Sequence, residues 1–259
     1  MAIAVVAVFL MLWAGFGPAW AMSPDPEELQ TWSQANVLYL AENHDQIADH
    51  QSQMQILEQL PAHRVTLAME MFQRPYQADL DAYLTGDLDE TMLKTRTEFE
   101  QRWGYDWEFY APLLRFAQHH HIRVLALNTP LEVTRKVGSQ GLAGLDRADF
   151  QWIPPIEDVD LDHPDYRDRL RYFYDTYHAD QASHEGFDYF YQAQVLWDET
   201  MAEAIAAQVN THPDQLVVVL VGAAHVFNEY GIPERVARRI QIPHFQQYSV
   251  RLTPPERIP

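Results

Sequence analysis

The residues with most chemistry to offer are two carboxylates and two imidazoles, Glu42, His44, Glu70 and His225, each close to where an apolar run stops. Val37-Leu38-Tyr39-Leu40-Ala41 leads into Glu42-Asn43-His44, and Val65-Thr66-Leu67-Ala68-Met69 into Glu70. Val124-Leu125-Ala126-Leu127 leads into Asn128, and Leu216 to Gly222 leads toward His225. A carboxylate beside an imidazole fixes its tautomer and lets the ring act as a base on water. Two carboxylates with two imidazoles equally form a donor set for a divalent metal. Singly, each residue has an ordinary structural reading: Glu70 as the partner of an arginine, His225 as a helix cap. Convergence sets them apart, because buried charges need partners and clustered titratable groups mark clefts. The expected metal ligands are Glu42, His44, Glu70 and His225. The expected catalytic set adds Asn128, Gln194 and Asp198; the last two share a helix face with Met201 through their spacing of four and three.

The elements that must position these groups are strands. Short apolar, β-branched runs interrupted by helical patterns predict parallel strands, and ligands of such sheets bind outside the strands' carboxyl ends. A last strand is predicted over 245–252. Helices are predicted over about 45–60, with Ile47, Met54, Leu57 and Leu60 along one side, near 76–84, onward from Gly86 to about Phe99, from Pro112 to His121, and from Leu131 to Gly138. His44 and Gln51 are seven apart and fall on nearly the same side of any helix that includes both, so Gln51 is a pocket candidate and His50 points elsewhere. His119-His120-His121 resembles a metal tract, yet consecutive helical residues diverge by ~100° and do not converge on one ion.

From Gln151 the character changes. Pro154-Pro155 and the acidic run Glu157-Asp158-Val159-Asp160 lead into two long aromatic-rich helical patterns, 164–178 and 184–208, with no strand between them. The fold class predicted is α/β: a mostly parallel sheet flanked by helices, with a smaller all-helical subdomain. The core is expected over 22–150 and 212–252 and the helical subdomain over 151–211.

The 259 residues carry 18 Lys+Arg against 37 Asp+Glu, a formal charge of −19, which repels polyphosphates and excludes nucleic acid as an expected partner. Without cysteine there are no disulfides, thiolate metal sites, cysteine nucleophile or lipidated cysteine. Residues 1–21 read as a signal peptide cleaved after Ala19-Trp20-Ala21, or as an uncleaved membrane anchor, since the first basic residue is Arg64. The chain is therefore expected to be exported, periplasmic or tethered on the extracytoplasmic side, touching membrane only through that segment.

Several of these pieces together resemble the ChaN-like haem-binding family, within the wider Tiki and erythromycin-esterase-like superfamily. Ala41-Glu42-Asn43-His44 is similar to the family's Gly-Glu-x-His, with alanine replacing the glycine. Met69-Glu70-Met71-Phe72 with Arg74 and Gln77, Ala126-Leu127-Asn128, the run from Ala193 to Ala202, and Gly222-Ala223-Ala224-His225 with Gly231-Ile232-Pro233 also match. The resemblance spans about Asn36 to Arg239. It implies a haem-binding homodimer engaged in haem or iron handling, with a tyrosine on iron assisted by histidine. Tyr174, Tyr177, His178 and His184 are the local candidate donors for haem, and the sequence does not select among them. The superfamily also contains hydrolases, so a metal-dependent or histidine-based hydrolase at the Glu42, His44, Glu70 and His225 cluster is the alternative.

Overall fold

The structure, a computed structural model, describes residues 22, 24–177 and 184–253, apart from the side chains of 177, 184 and 185. Its centre is an all-parallel five-stranded sheet: β1 (Val37–Glu42), β2 (Val65–Gln73), β3 (Arg123–Asn128), β4 (Leu216–Gly222) and β5 (Gln247–Arg251), in the order β3-β2-β4-β1-β5. Every residue of β1, β2 and β4 is buried. Parallel sheets are covered on both faces, which is why these strands read as unbroken apolar runs.

Successive strand residues point to opposite faces, and two cores result. On one face Leu38, Leu40, Leu67, Met69, Val218 and Leu220 meet α1 (Pro26–Ser33), α2 (Ile47–Gln59), α3 (Gln77–Thr85), α4 (Glu90–Arg96), α5 (Phe99–Arg102) and α6 (Ala111–His119). On the other, Tyr39, Ala41, Ala68, Val219 and Val221 meet two later helices. These are α9 (His184–Thr211) and α10 (Ile232–Ala237). Between α6 and α9 in the chain run α7 (Leu131–Gln140) and α8 (Pro164–Tyr177).

The helix after β1 therefore lies on one face and the helix after β4 on the other, although β1 and β4 are neighbours. Chains diverging in this way leave a crevice at the strands' carboxyl ends. In register, Glu42 stands opposite Gly222 at that crevice.

Two helical expectations change. The stretch after Gly86 is broken into α4 and α5 by Glu98 in the left-handed region at φ 50°. The buried residues of α2 are Asp49, His50, Ser52, Gln53, Ile56 and Leu57, while Ile47 is 60% exposed. Polar partners inside the crevice, rather than apolar periodicity, set that orientation. β5 is shorter than its expected span, and β2 continues through Glu70 to Gln73, where an irregularity lets Gln73 pair with Asn128.

α8 and the first half of α9 build an aromatic cluster from Tyr166, Leu170, Tyr174, Phe187 and Tyr191. The second half of α9, from Met201 to Val209, packs on the sheet. One helix thus joins the hairpin to the core. Among the described residues no helix is long and apolar enough to cross a membrane.

Candidate functional site

The crevice holds two carboxylate–imidazole sets on either side of Gly222. In the first, Glu42 is buried and saturated. His44 Nδ1 lies 2.8 Å from its Oε1, the Tyr110 hydroxyl donates to the same oxygen at 2.6 Å, and Gln53 Nε2 donates to Oε2 at 2.5 Å. Burial alone would raise this carboxyl's pKa. The His44 hydrogen bond and the charges of His44 and His50 outweigh burial and, with the Tyr110 hydroxyl, hold it below the usual carboxylate range. The His44 ring leans on Trp103 and Tyr105 at 4.7 and 4.9 Å between centroids. Its pKa is raised: burial opposes the charge, but the Glu42 hydrogen bond and the nearby Glu70 more than offset it.

In the second set His225 is clamped between two buried carboxylates, Nδ1 at 2.5 Å from Asp198 Oδ1 and Nε2 at 3.3 Å from Glu70 Oε1. Burial works against its charge. The Glu70 and Asp198 carboxylates overcome that and push its pKa up to about 10. Reciprocally, Glu70 drops to about 2: burial is outweighed chiefly by the His225 charge and hydrogen bond, then by His44 and the Gly222 N–H. Tyr166 donates to the remaining Asp198 oxygen at 2.5 Å. Ring nitrogens directed at two carboxylates describe an imidazolium, which has no lone pair with which to take a proton.

Gly222 makes the two sets neighbours. The β2–β4 ladder stops at Met69 opposite Leu220, and the Gly222 N–H donates instead to Glu70 Oε2 at 2.7 Å. A Cβ at Gly222 would stand 2.8 Å from His44 Nε2. The ring occupies the space a side chain would fill.

Of the expected residues, Glu42, His44, Glu70, Asp198 and His225 come together. Gln194 lies 3.4 Å from His225 Nδ1. Asn128 is close but braces the backbone, donating to the Glu70 carbonyl at 2.7 Å and accepting from the Trp197 indole. Gln51 is exposed. His50, expected to point elsewhere, is buried with Nε2 at 3.1 Å from the His44 carbonyl and Nδ1 at 3.7 Å from Glu42 Oε2.

The divalent-metal assignment of Glu42, His44, Glu70 and His225 gains no support from this geometry. Among the described residues no group of three or more His, Asp or Glu is placed to hold a metal ion. The Glu42 and Glu70 oxygens that would ligate it already face His44, Tyr110, Gln53, the Gly222 N–H and His225.

Tyr110, Gln53 and Tyr166 were missed as partners. Gln53 had a signal, since it shares a helical face with Ile56, Leu57 and Leu60, so a polar group there needs a buried partner. Tyr110 and Tyr166 had none beyond their place in aromatic-rich stretches. Among the haem donors, Tyr174 is buried, its ring 5.6 and 5.3 Å from those of Phe187 and Phe190. His178 lies outside the described residues, as do the side chains of Tyr177 and His184.

A parallel α/β core with a helical hairpin inserted before β4, and a histidine–carboxylate network at the switch point, defines the class of protein. Residues 29–236 match the family described as haem-binding uptake, Tiki superfamily, ChaN, and the chain belongs to that family. Its structure is similar to one titled "Cofacial heme binding to ChaN of Campylobacter jejuni". The TM-score is 0.65 at 18% identity, covering 82% of this chain and 79% of that one, a likeness of fold. Among curated proteins it is 28% identical over 200 residues to Protein RETICULATA-RELATED 5, chloroplastic, of Arabidopsis thaliana, covering 74% of this chain and 26% of that protein. The chain thus spans about a quarter of that relative's length.

Proposed function

We propose that this chain binds haem and handles haem or its iron on the extracytoplasmic side of a membrane, as a homodimer. The observation that carries the reading is membership of a haem-binding family across residues 29–236. The chemistry of the hairpin is compatible: haem needs apolar surface and an oxygen or nitrogen donor, and α8 presents Tyr172, 51% exposed, beside Phe173. Bound iron supplies ligand exchange and one-electron chemistry, while the chain supplies the apolar faces and the donor. Export rests on residues 1–21 as a leader.

The test is titration of the chain from Met22 onward with ferric haem, followed in the visible spectrum and by sedimentation. A saturable Soret shift and a doubled mass at saturation are expected. An unshifted band removes haem binding, and a monomer mass at saturation removes the dimer.

A second reading, hydrolysis, is favoured by the Glu42–His44 pair. His44 keeps partial access to solvent with 17% of its side chain exposed, and Glu42 fixes its tautomer. His225, Glu70 and Asp198 would then form a fixed ionic support behind it. On a panel of esters and amides, His44→Ala is expected to abolish any turnover by the wild-type chain; turnover that survives the substitution ends this reading.

A further inference from the structure

We propose that the groove between edge strand β3 and α9 binds a short-chain aliphatic carboxylate. Arg123 receives the carboxylate, and the alkyl chain lies along Leu125, Ala204 and Ala207. Arg123 opens β3 opposite Thr66, at the amino end of the sheet, so this site is separate from the crevice at the strands' carboxyl ends and independent of the haem reading.

α9 runs past β3 with Ala204, Ala207, Gln208 and Thr211 lining the gap, positions three and four apart that share one side of a helix. Two of the four are alanines. Longer side chains would close the space between helix and strand; the two methyls instead leave about 360 Å³, walled on the strand side by Leu125 and Ala126. Small-ligand sites begin at about 300 Å³ and combine an apolar lining with a few fixed polar groups.

The charged residues that line the groove are two arginines, and no carboxylate joins them. Arg74 is committed to protein groups: it donates to Glu203 at 2.8 Å, to the Trp152 carbonyl at 3.2 Å and to the Thr200 carbonyl. Arg123 is exposed, and among the described residues its side chain donates to one neutral acceptor, Gln208 Oε1 at 3.3 Å. The buried Gln208 is itself oriented, because its Nε2 donates to Thr66 Oγ1 at 3.2 Å and to Gln215 Oε1 at 2.9 Å. One N–H of the Arg123 guanidinium is thereby anchored over the groove, and the rest of its planar fork matches a carboxylate.

The last turn of α9 also favours a cation at this place. The Thr211 hydroxyl donates to the Ala207 and Gln208 carbonyls at 2.7 and 3.1 Å, which covers two acceptors that would repel an anion. A chain of net charge −19 repels anions at long range, so an anion is held best where a local cation comes with apolar surface. This groove has both.

Its length selects the ligand. Glu203 and Gln208, the partners of the two arginines, are five residues apart on α9, roughly 7.5 Å along the axis. An extended six-carbon acid, with C–C bonds of about 1.5 Å, spans close to that distance. The fixed Arg74 guanidinium then closes the far end to a longer chain. An inorganic anion would meet Arg123 and leave the alanines in water.

The experiment titrates the full chain by calorimetry with sodium acetate, butyrate, hexanoate, decanoate and phosphate, and repeats the series with Arg123→Gln and Ala207→Leu. Hexanoate is expected to bind about tenfold more tightly than acetate through partial burial of its methylenes, and decanoate no more tightly than hexanoate. Arg123→Gln should weaken hexanoate about tenfold, the loss of one charge-assisted contact. Ala207→Leu, which fills the groove from an exposed helical position, should erase the advantage of hexanoate over acetate. Equal binding of hexanoate by the wild type and Arg123→Gln overturns the proposal. So does affinity that keeps rising to decanoate, the mark of unspecific adsorption, or phosphate bound as tightly as hexanoate, or no binding of any acid. If Arg123→Gln fails to fold, the wild-type chain-length series and Ala207→Leu decide.

Discussion

His225 carries its charge as a fixed part of the structure. Replacing it by glutamine leaves Glu70 and Asp198 buried with a neutral amide between them, and breaking a buried ionic set by removing one partner costs about 3–5 kcal/mol. A urea or thermal melt of His225→Gln should register that loss. The same residues set the pH range. Glu70 is depressed from 4.5 to about 2, so its contribution is present above pH 4.5 and is lost as pH falls toward 2. His225 is raised from 6.5 to about 10, so its contribution is complete below pH 6.5 and is lost as pH rises toward 10. Denaturation midpoints should therefore peak between pH 4.5 and 6.5 and fall on both sides. In His225→Gln the alkaline decline should flatten; an unchanged alkaline limb would show that the imidazolium does not set it.

Among the elements, edge strand β3 is closed by one side chain rather than by another strand. Gln77 of α3 donates to the Val124 carbonyl at 2.9 Å and accepts from the Ala126 N–H at 2.8 Å, the two groups a sixth strand would take. Open edges recruit other chains. The crevice beside this edge, about 360 Å³ and lined by Leu125, Ala126, Ala204 and Gln208, leaves room for an approaching segment. Gln77→Ala should cost roughly 1–3 kcal/mol in unsatisfied backbone groups and increase self-association by light scattering. A variant that stays as dispersed and as stable as the parent would remove this role. The sequence marked Gln77 only through resemblance to a family motif; its task became visible once α3 lay against β3. In α2 the apolar pattern was misleading for a similar reason. Asp49 and Gln53 face inward because the Asn43 N–H and Glu42 await them, and a hydrophobic count does not register a buried polar partner.

For the whole molecule, the strands were legible because burial on both faces demands unbroken apolar runs, and the interposed helical patterns implied parallel pairing. Glu42, His44, Glu70 and His225 stood out because polar groups near the ends of such runs converge at one edge of a parallel sheet. The aromatic helical pair was legible as a separate stretch, since no strand interrupts it. Strand order was not, because a parallel crossover does not reveal which neighbour it reaches. That order seats β4 between β1 and β2, so a glycine separates the two carboxylate–imidazole sets. The division of roles was also hidden. Sequence supplied four groups suited equally to proton transfer and to metal ligation, whereas tertiary structure gave their oxygens to Tyr110, Gln53, His44, His225 and the Gly222 N–H. By itself the sequence determined the apolar runs, the clustered ionisable residues and the acidic surface, all matters of local composition and period. Only the tertiary structure decided which donors fill each carboxylate and which imidazole is held between two carboxylates, because those outcomes depend on distances between residues far apart in the chain.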